Sequence, residues 1–204
     1  MQKLEDKAFY FIAGHGRGWA FSSSDLLEKF SRSQADNLLL ELTKKGKIRR
    51  VIRGVYDYPK YSKFLNQYLS PDIDQVARAI ARKINWQIEI SGESALNFLG
   101  LSTQIEAKYT YLSNGSNKTY DIFGTKLEFK KSNLKYIGFK HKESSLIVQA
   151  LKALGKDNIN NEVIEKIKNQ IDKKQCKKIL KDTKTTTTWI YETIKKICES
   201  VENG

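Results

Sequence analysis

The tightest constraint on the fold is the order of patterns in the first 58 residues. Leu4, Ala8, Phe11 and Ile12 recur at helical spacing, which predicts a helix over 3–13. Gly14-His15-Gly16-Arg17-Gly18 ends it, because glycines this dense favour a loop. Trp19-Ala20-Phe21 is a short apolar piece, and Ser22-Ser23-Ser24-Asp25 supplies N-cap groups for a second helix through Phe30. Ser31-Arg32-Ser33 makes a short turn. A third helix then runs from about Gln34 to Lys45 and stops at Gly46, with lysines in its last turn. Lys47–Ile52 and Val55–Tyr58 are β-prone and flank Arg53-Gly54, which predicts a tight hairpin closed by Pro59. Helix, short strand, helix, turn, helix and hairpin is the order of a winged helix-turn-helix.

Beyond this, residues 61–84 read as helical, broken at Ser70-Pro71-Asp72. Ile73, Val76, Ala77, Ile80 and Ile84 share one face of the second piece. Pro71 falls at its start, where a missing N–H costs least. We take 61–84 as linking helices between a first domain, 1–60, and a second, 85–204. Trp86–Ile90, Tyr109–Leu112, Thr119–Phe123, Lys126–Lys130 and Lys135–Phe139 read as strands, with a short helix over Glu93–Leu99. Ser144–Leu154, Asn160–Ile171, a stretch around Lys173–Leu180 and Thr188–Glu199 read as helices. The expected class is α+β: an N-terminal winged helix-turn-helix followed by a mixed α+β domain with a helical C-terminal end.

Charge narrows the function. Lys and Arg number 36 against 23 Asp and Glu, a formal +13, and so large an excess favours a polyanionic partner. In the third helix Ala35, Leu38, Leu39 and Leu42 face inward, leaving Ser33, Asn37, Leu40 and Lys44 on the opposite face. A recognition helix reads base edges with its N-terminal residues, which makes Arg32, Ser33, Gln34 and Asn37 the base-contact candidates. Asp36 and Glu41 flank this face and repel phosphates. Lys44, Lys45, Lys47, Arg49, Arg50 and Arg53 offset them, with Arg53 at the hairpin tip, where a side chain enters a minor groove. Together these ten residues are the expected double-stranded-DNA contacts. The lysines of 173–184 read either as a solvated helix face or as a second nucleic-acid contact. Trp189, Ile190, Thr193, Ile194 and Ile197 form an apolar helix stripe that docks on the body or on a partner.

Three stretches of this sequence are together similar to a known family. They are Gly18-Trp19-Ala20-Phe21-Ser22-Ser23-Ser24-Asp25-Leu26, Arg53-Gly54-Val55-Tyr56-Asp57-Tyr58-Pro59, and Ser91-Gly92-Glu93-Ser94-Ala95-Leu96-Asn97-Phe98-Leu99-Gly100-Leu101-Ser102. The chain over about 5–140 resembles the AbiEi family of antitoxins and its DUF6088-like relatives. The resemblance implies an antitoxin of a type IV toxin–antitoxin system. Its winged helix binds repeats in its own promoter and represses it, and its C-terminal region neutralises a nucleotidyltransferase-like toxin. DNA contact would then map to Arg32–Lys45 and Lys47–Tyr56. A stand-alone winged-helix regulator without a toxin is the alternative.

Other classes fare worse. Cys176 and Cys198 are far apart with no CxxC, and two histidines, His15 and His141, are too few for most metal sites. We expect reduced thiols, no metal and no cofactor. Neither histidine is placed for nucleophilic catalysis. Pro71-Asp72 with Glu128-Phe129-Lys130 superficially matches the carboxylate–lysine signature of a magnesium-dependent nuclease, but Asp72 reads as a helix cap. The expectation is a non-enzyme. No apolar run approaches a membrane span and the N-terminus lacks a signal-peptide core, so a cytoplasmic location follows.

Overall fold

The computed structural model describes residues 2–102, 108–132 and 139–202. Helix α1, Gln2–Gly14, leads through the glycine loop to strand β1, Ala20–Phe21, and a 3-10 turn, Ser23–Leu26. Helix α2, Arg32–Lys44, is followed by β2, Arg49–Ile52, and β3, Val55–Asp57. The three strands form an antiparallel sheet of order β1-β3-β2, with Ala20 opposite Asp57 and Arg49 opposite Asp57. Its core holds Ala8 and Ile12 of α1, then Phe21, Leu26, Phe30 and Ile48, and Ala35, Leu38, Leu39 and Leu42 of α2; of the expected α1 face, Leu4 is exposed and Phe11 only partly buried. Removing large apolar side chains from such a core costs about 2–5 kcal/mol each.

Two boundaries differ from expectation. The second predicted helix is one 3-10 turn, because Asp25 folds back to accept the Ser22 backbone N–H at 2.8 Å. The turn before α2 is Leu27–Phe30. Ser31 is the N-cap, accepting from Gln34 N at 3.3 Å while the Gln34 side chain accepts from Ser31 N at 3.0 Å. This reciprocal capping box pulls the helix start back to Arg32.

The stretch 61–70 is not helical. It forms a hairpin of β4, Tyr61–Ser62, and β5, Gln67–Tyr68, with Tyr61 opposite Tyr68 and their rings edge to face at 5.2 Å. Asn66 turns the chain at φ +49°, a conformation Asn tolerates. Phe64 at its tip is 96% exposed.

Helix α3, Ile73–Lys83, capped by Asp72, packs on β1, β3 and the 3-10 turn. Val76, Ala77 and Ile80 are buried. Arg82 fixes it there, donating to Asp25 Oδ1 at 2.6 Å and to the Ala20 carbonyl at 2.9 Å. It is therefore part of the first unit rather than a link. That unit comprises Met1–Ile88 with Thr119–Leu127, and the second comprises Glu89–Lys118 with Glu128–Gly204.

The later strands are β6, Ile88–Ile90; β7, Lys108–Ser113; β8, Lys118–Ile122; and β9, Thr125–Lys131. They form a four-stranded sheet of order β6-β7-β9-β8. In the second unit, α4, Gly92–Phe98, packs on β7 and on α5, Lys142–Leu154. Helices α6, Asn161–Lys168, and α7, Lys173–Asp182, pack on α8, Thr188–Glu202. The stripe of α8 is docked, with Ile190, Ile194 and Ile197 each 1% exposed. Cys176 and Cys198 are buried and form no disulfide. The strand expected at 135–139 lies, but for Phe139, outside the described residues.

The α4–α5 approach requires glycine. A Cβ on Gly92 would meet Ala153 Cβ at 2.7 Å and the Gln149 carbonyl at 3.2 Å, neither of which is a flexible side-chain end. Gly92→Ala is expected to destabilise the chain by about 1–3 kcal/mol, read as a lower denaturation midpoint in urea. An unchanged midpoint would show that the helices separate freely.

Candidate nucleic-acid interface

The basic residues picked out by sequence divide into two groups. In the first, the charge is already neutralised. Lys44 pairs with Glu41 at 2.8 Å along α2. Lys45 reaches Glu5 of α1 at 2.6 Å, and the hydrogen bond from Lys45 holds the Glu5 carboxyl below its ordinary value against the opposing effect of burial. Lys47 lies 3.7 Å from Glu5 and over the Phe9 ring at 5.1 Å. Arg49 donates two hydrogen bonds to Asp57, at 3.0 and 2.6 Å, and a third to the Leu69 carbonyl at 2.9 Å. Its guanidinium also faces the Phe123 ring at 5.2 Å. Gln34 is held in the capping box. These side chains tie α1, α2 and the hairpin together.

The second group faces outward. Ser33, Asn37 and Leu40 are exposed along α2, one helical turn apart. Arg32 donates to the Ser23 and Ser24 hydroxyls at 3.0 and 3.3 Å, neutral partners that leave its charge uncompensated. Arg50 and Arg53 on the β2–β3 hairpin are exposed and make no ion pair among the described residues.

One member of this group escaped the sequence reading. Lys83, at the end of α3, donates from Nζ to the Arg53 carbonyl at 3.0 Å. It lies over the hairpin turn so closely that a Cβ on Gly54 would come within 2.5 Å of Nζ. Gly54 itself sits at φ +75°, where side chains are strained. Burial pushes the Lys83 ammonium down from its ordinary value, and the positive charges of Arg32, Arg53 and Arg50 push it further. Asp36 is the acidic group opposing them.

The arrangement gathers four cations from α2, the hairpin and α3, beside the exposed polar face Ser33–Asn37. Like charges held together without carboxylate partners are costly unless an anion completes the site. Chemically it can hold phosphates with Arg and Lys while Ser33 and Asn37 reach base edges.

The other sequence candidates are placed elsewhere. His15 donates from Nδ1 to the Phe11 carbonyl at 3.0 Å and stacks on Trp19 at 3.8 Å. Asp72 caps α3, accepting from Gln75 N at 3.1 Å, and Glu128 pairs with Lys108 at 3.4 Å. Among the described residues no cluster of three or more His, Cys, Asp or Glu side chains could hold a metal ion. No helix among them is long and apolar enough to cross a membrane.

Residues 9–179 match the model of a protein family described as a family of unknown function, DUF6088. No curated protein matches the sequence.

Proposed function

The chain belongs to the DUF6088 family, one of unknown function, and we propose that it is a double-stranded-DNA-binding transcriptional autorepressor. The first unit is read as a winged helix-turn-helix, with α2 as recognition helix and the β2–β3 hairpin as wing. The observation that carries this is the convergence of Arg32, Arg50, Arg53 and Lys83 beside the exposed face of α2. The resemblance to AbiEi-like antitoxins adds the second half of the proposal: the protein counteracts a nucleotidyltransferase-like toxin, without catalysis of its own. The stand-alone regulator shares the first half alone.

Fluorescence anisotropy with the chain's own upstream duplex and a scrambled duplex tests the DNA half. Preference for the upstream duplex supports it; equal, weak binding to both removes it. Co-expression with an adjacent nucleotidyltransferase-like toxin tests the other half. Absence of rescue would leave the stand-alone regulator.

Lys83 makes the binding pH-dependent. Its folded value lies below the ordinary lysine value, so folding carries a cost below that pH that is relieved as pH rises. A phosphate at the site favours the charged form and raises the value again. Affinity is therefore full below the free protein's lowered value and falls as pH rises through it, with a proton taken up on binding. Titrations from about pH 7 to about pH 10 should show the fall, and Lys83→Arg should abolish it. The same fall in Lys83→Arg would assign it to another group.

A further inference from the structure

The second unit carries a basic concavity that the DNA-binding reading does not use. It measures about 490 Å³ and is lined by Lys140, His141, Lys177, Lys178, Lys181 and Asp182. That volume is in the range of small-molecule sites. None of the four lysines has an ion-pair partner among the described residues, although four other lysines of this unit, 108, 166, 168 and 195, are paired.

The one carboxylate present is engaged elsewhere. Asp182 accepts the backbone N–H groups of Lys140 and His141 at 3.1 and 3.0 Å. Burial raises its pKa, but these amides, together with smaller contributions from the Ser144 side chain and the His141 charge, hold the carboxyl below its ordinary value. Asp182 thus fastens the Lys140-His141 segment to the end of α7 and shapes the rim, while the ammonium groups remain available.

The lysines converge on one place. Lys177, Lys178 and Lys181 lie within about one turn of α7, and Lys140 approaches from the start of α5. Lys173, Lys174 and Lys184 continue the basic run but do not line the concavity. A surface tracking a nucleic-acid strand would extend along the row; a surface closed on four ammonium groups suits a compact ligand of several negative charges. Lysine serves as a point charge for phosphate.

We infer that this concavity, formed by Lys140, Lys177, Lys178 and Lys181 around Asp182, binds a small polyphosphate-bearing ligand of nucleotide size.

The test is isothermal titration of the full chain with ATP and, separately, with inorganic tripolyphosphate, at about 0.1 M salt where long-range screening is moderate. Saturable binding at one site per chain is expected. Equal affinity for the two probes assigns recognition to the phosphate chain; preference for ATP adds a contact to the nucleoside. Lys177→Ala/Lys181→Ala should weaken binding by about a hundredfold, roughly tenfold for each lost ion pair. Lys177→Arg/Lys181→Arg should stay within about threefold of wild type, since the charge is kept. Lys195→Ala, a paired lysine on α8, should leave binding unchanged and controls for net charge. No saturable binding of either probe, or binding indifferent to the double alanine variant, overturns the proposal. So does binding of a single-stranded oligonucleotide at these lysines when neither small probe binds.

Discussion

Arg53→Ala/Lys83→Ala is expected to lower affinity for the upstream duplex by about a hundredfold or more, two charge-assisted contacts at roughly tenfold each. Arg53 is exposed at the hairpin turn, and Lys83 is held over that turn by its bond to the Arg53 carbonyl. Neither side chain is in an ion pair among the described residues, and the one hydrogen bond between them, from Lys83 to the Arg53 carbonyl, is exposed. Lys44→Ala/Lys45→Ala removes the same formal charge but should change affinity by less than about threefold, because Glu41 and Glu5 already neutralise those groups. Anisotropy titrations of the two double variants, side by side, separate local geometry from net charge. Equal losses in both would mean that the protein binds DNA through its overall charge alone.

Arg49→Ala gives the second large effect, and it falls on stability. Asp57 is 1% exposed and its carboxylate is held by the Arg49 guanidinium in a two-bond fork. Removing one partner leaves a buried charge uncompensated, a loss of about 3–5 kcal/mol. Urea denaturation followed by circular dichroism reads it. Arg49→Met/Asp57→Leu, which removes both charges and keeps apolar bulk, should recover most of the loss. An Arg49→Ala protein as stable as wild type would show that solvent reaches Asp57 and that Arg49 is free to contact phosphate. The sequence alone points to Arg49 as a DNA contact; its three internal hydrogen bonds mean that any affinity loss in Arg49→Ala must first be corrected for unfolded protein.

The order of elements in the first unit was readable because local signals agreed. Apolar spacing marked α1 and α2, Gly46 marked the end of α2, and Arg53-Gly54 marked a turn; the start of α2 lies earlier than the sequence placed it, because the Ser31–Gln34 capping box forms. The hairpin at 61–68 was misread for a physical reason. Tyr61, Phe64, Leu65, Tyr68 and Leu69 fall at helical spacing, yet none is buried. Spacing describes a face only if something covers it. The site was half legible. Arg32, Ser33, Asn37, Arg50 and Arg53 stand together and outward, whereas Lys45 and Arg49 are engaged by Glu5 and Asp57, 40 and 8 residues away. Such pairings are set by tertiary approach and leave no periodic trace. Lys83 was missed for the same reason, since it meets the hairpin from 30 residues downstream. The same limit applied to the lysines of α7, which sequence shows as one run and the structure divides into those that line a concavity and those that do not.

The most direct test of the central claim is the salt dependence of binding to the upstream duplex. Each neutralised phosphate contributes about −0.9 to the slope of log affinity against log salt concentration, so contacts from Arg32, Arg50, Arg53 and Lys83 predict a slope near −3.6. In Arg53→Ala/Lys83→Ala the slope should become shallower by about 1.8, while in Lys44→Ala/Lys45→Ala it should not change. A slope near zero, or one that the two double variants reduce equally, would contradict the assignment of this face as the DNA-binding surface.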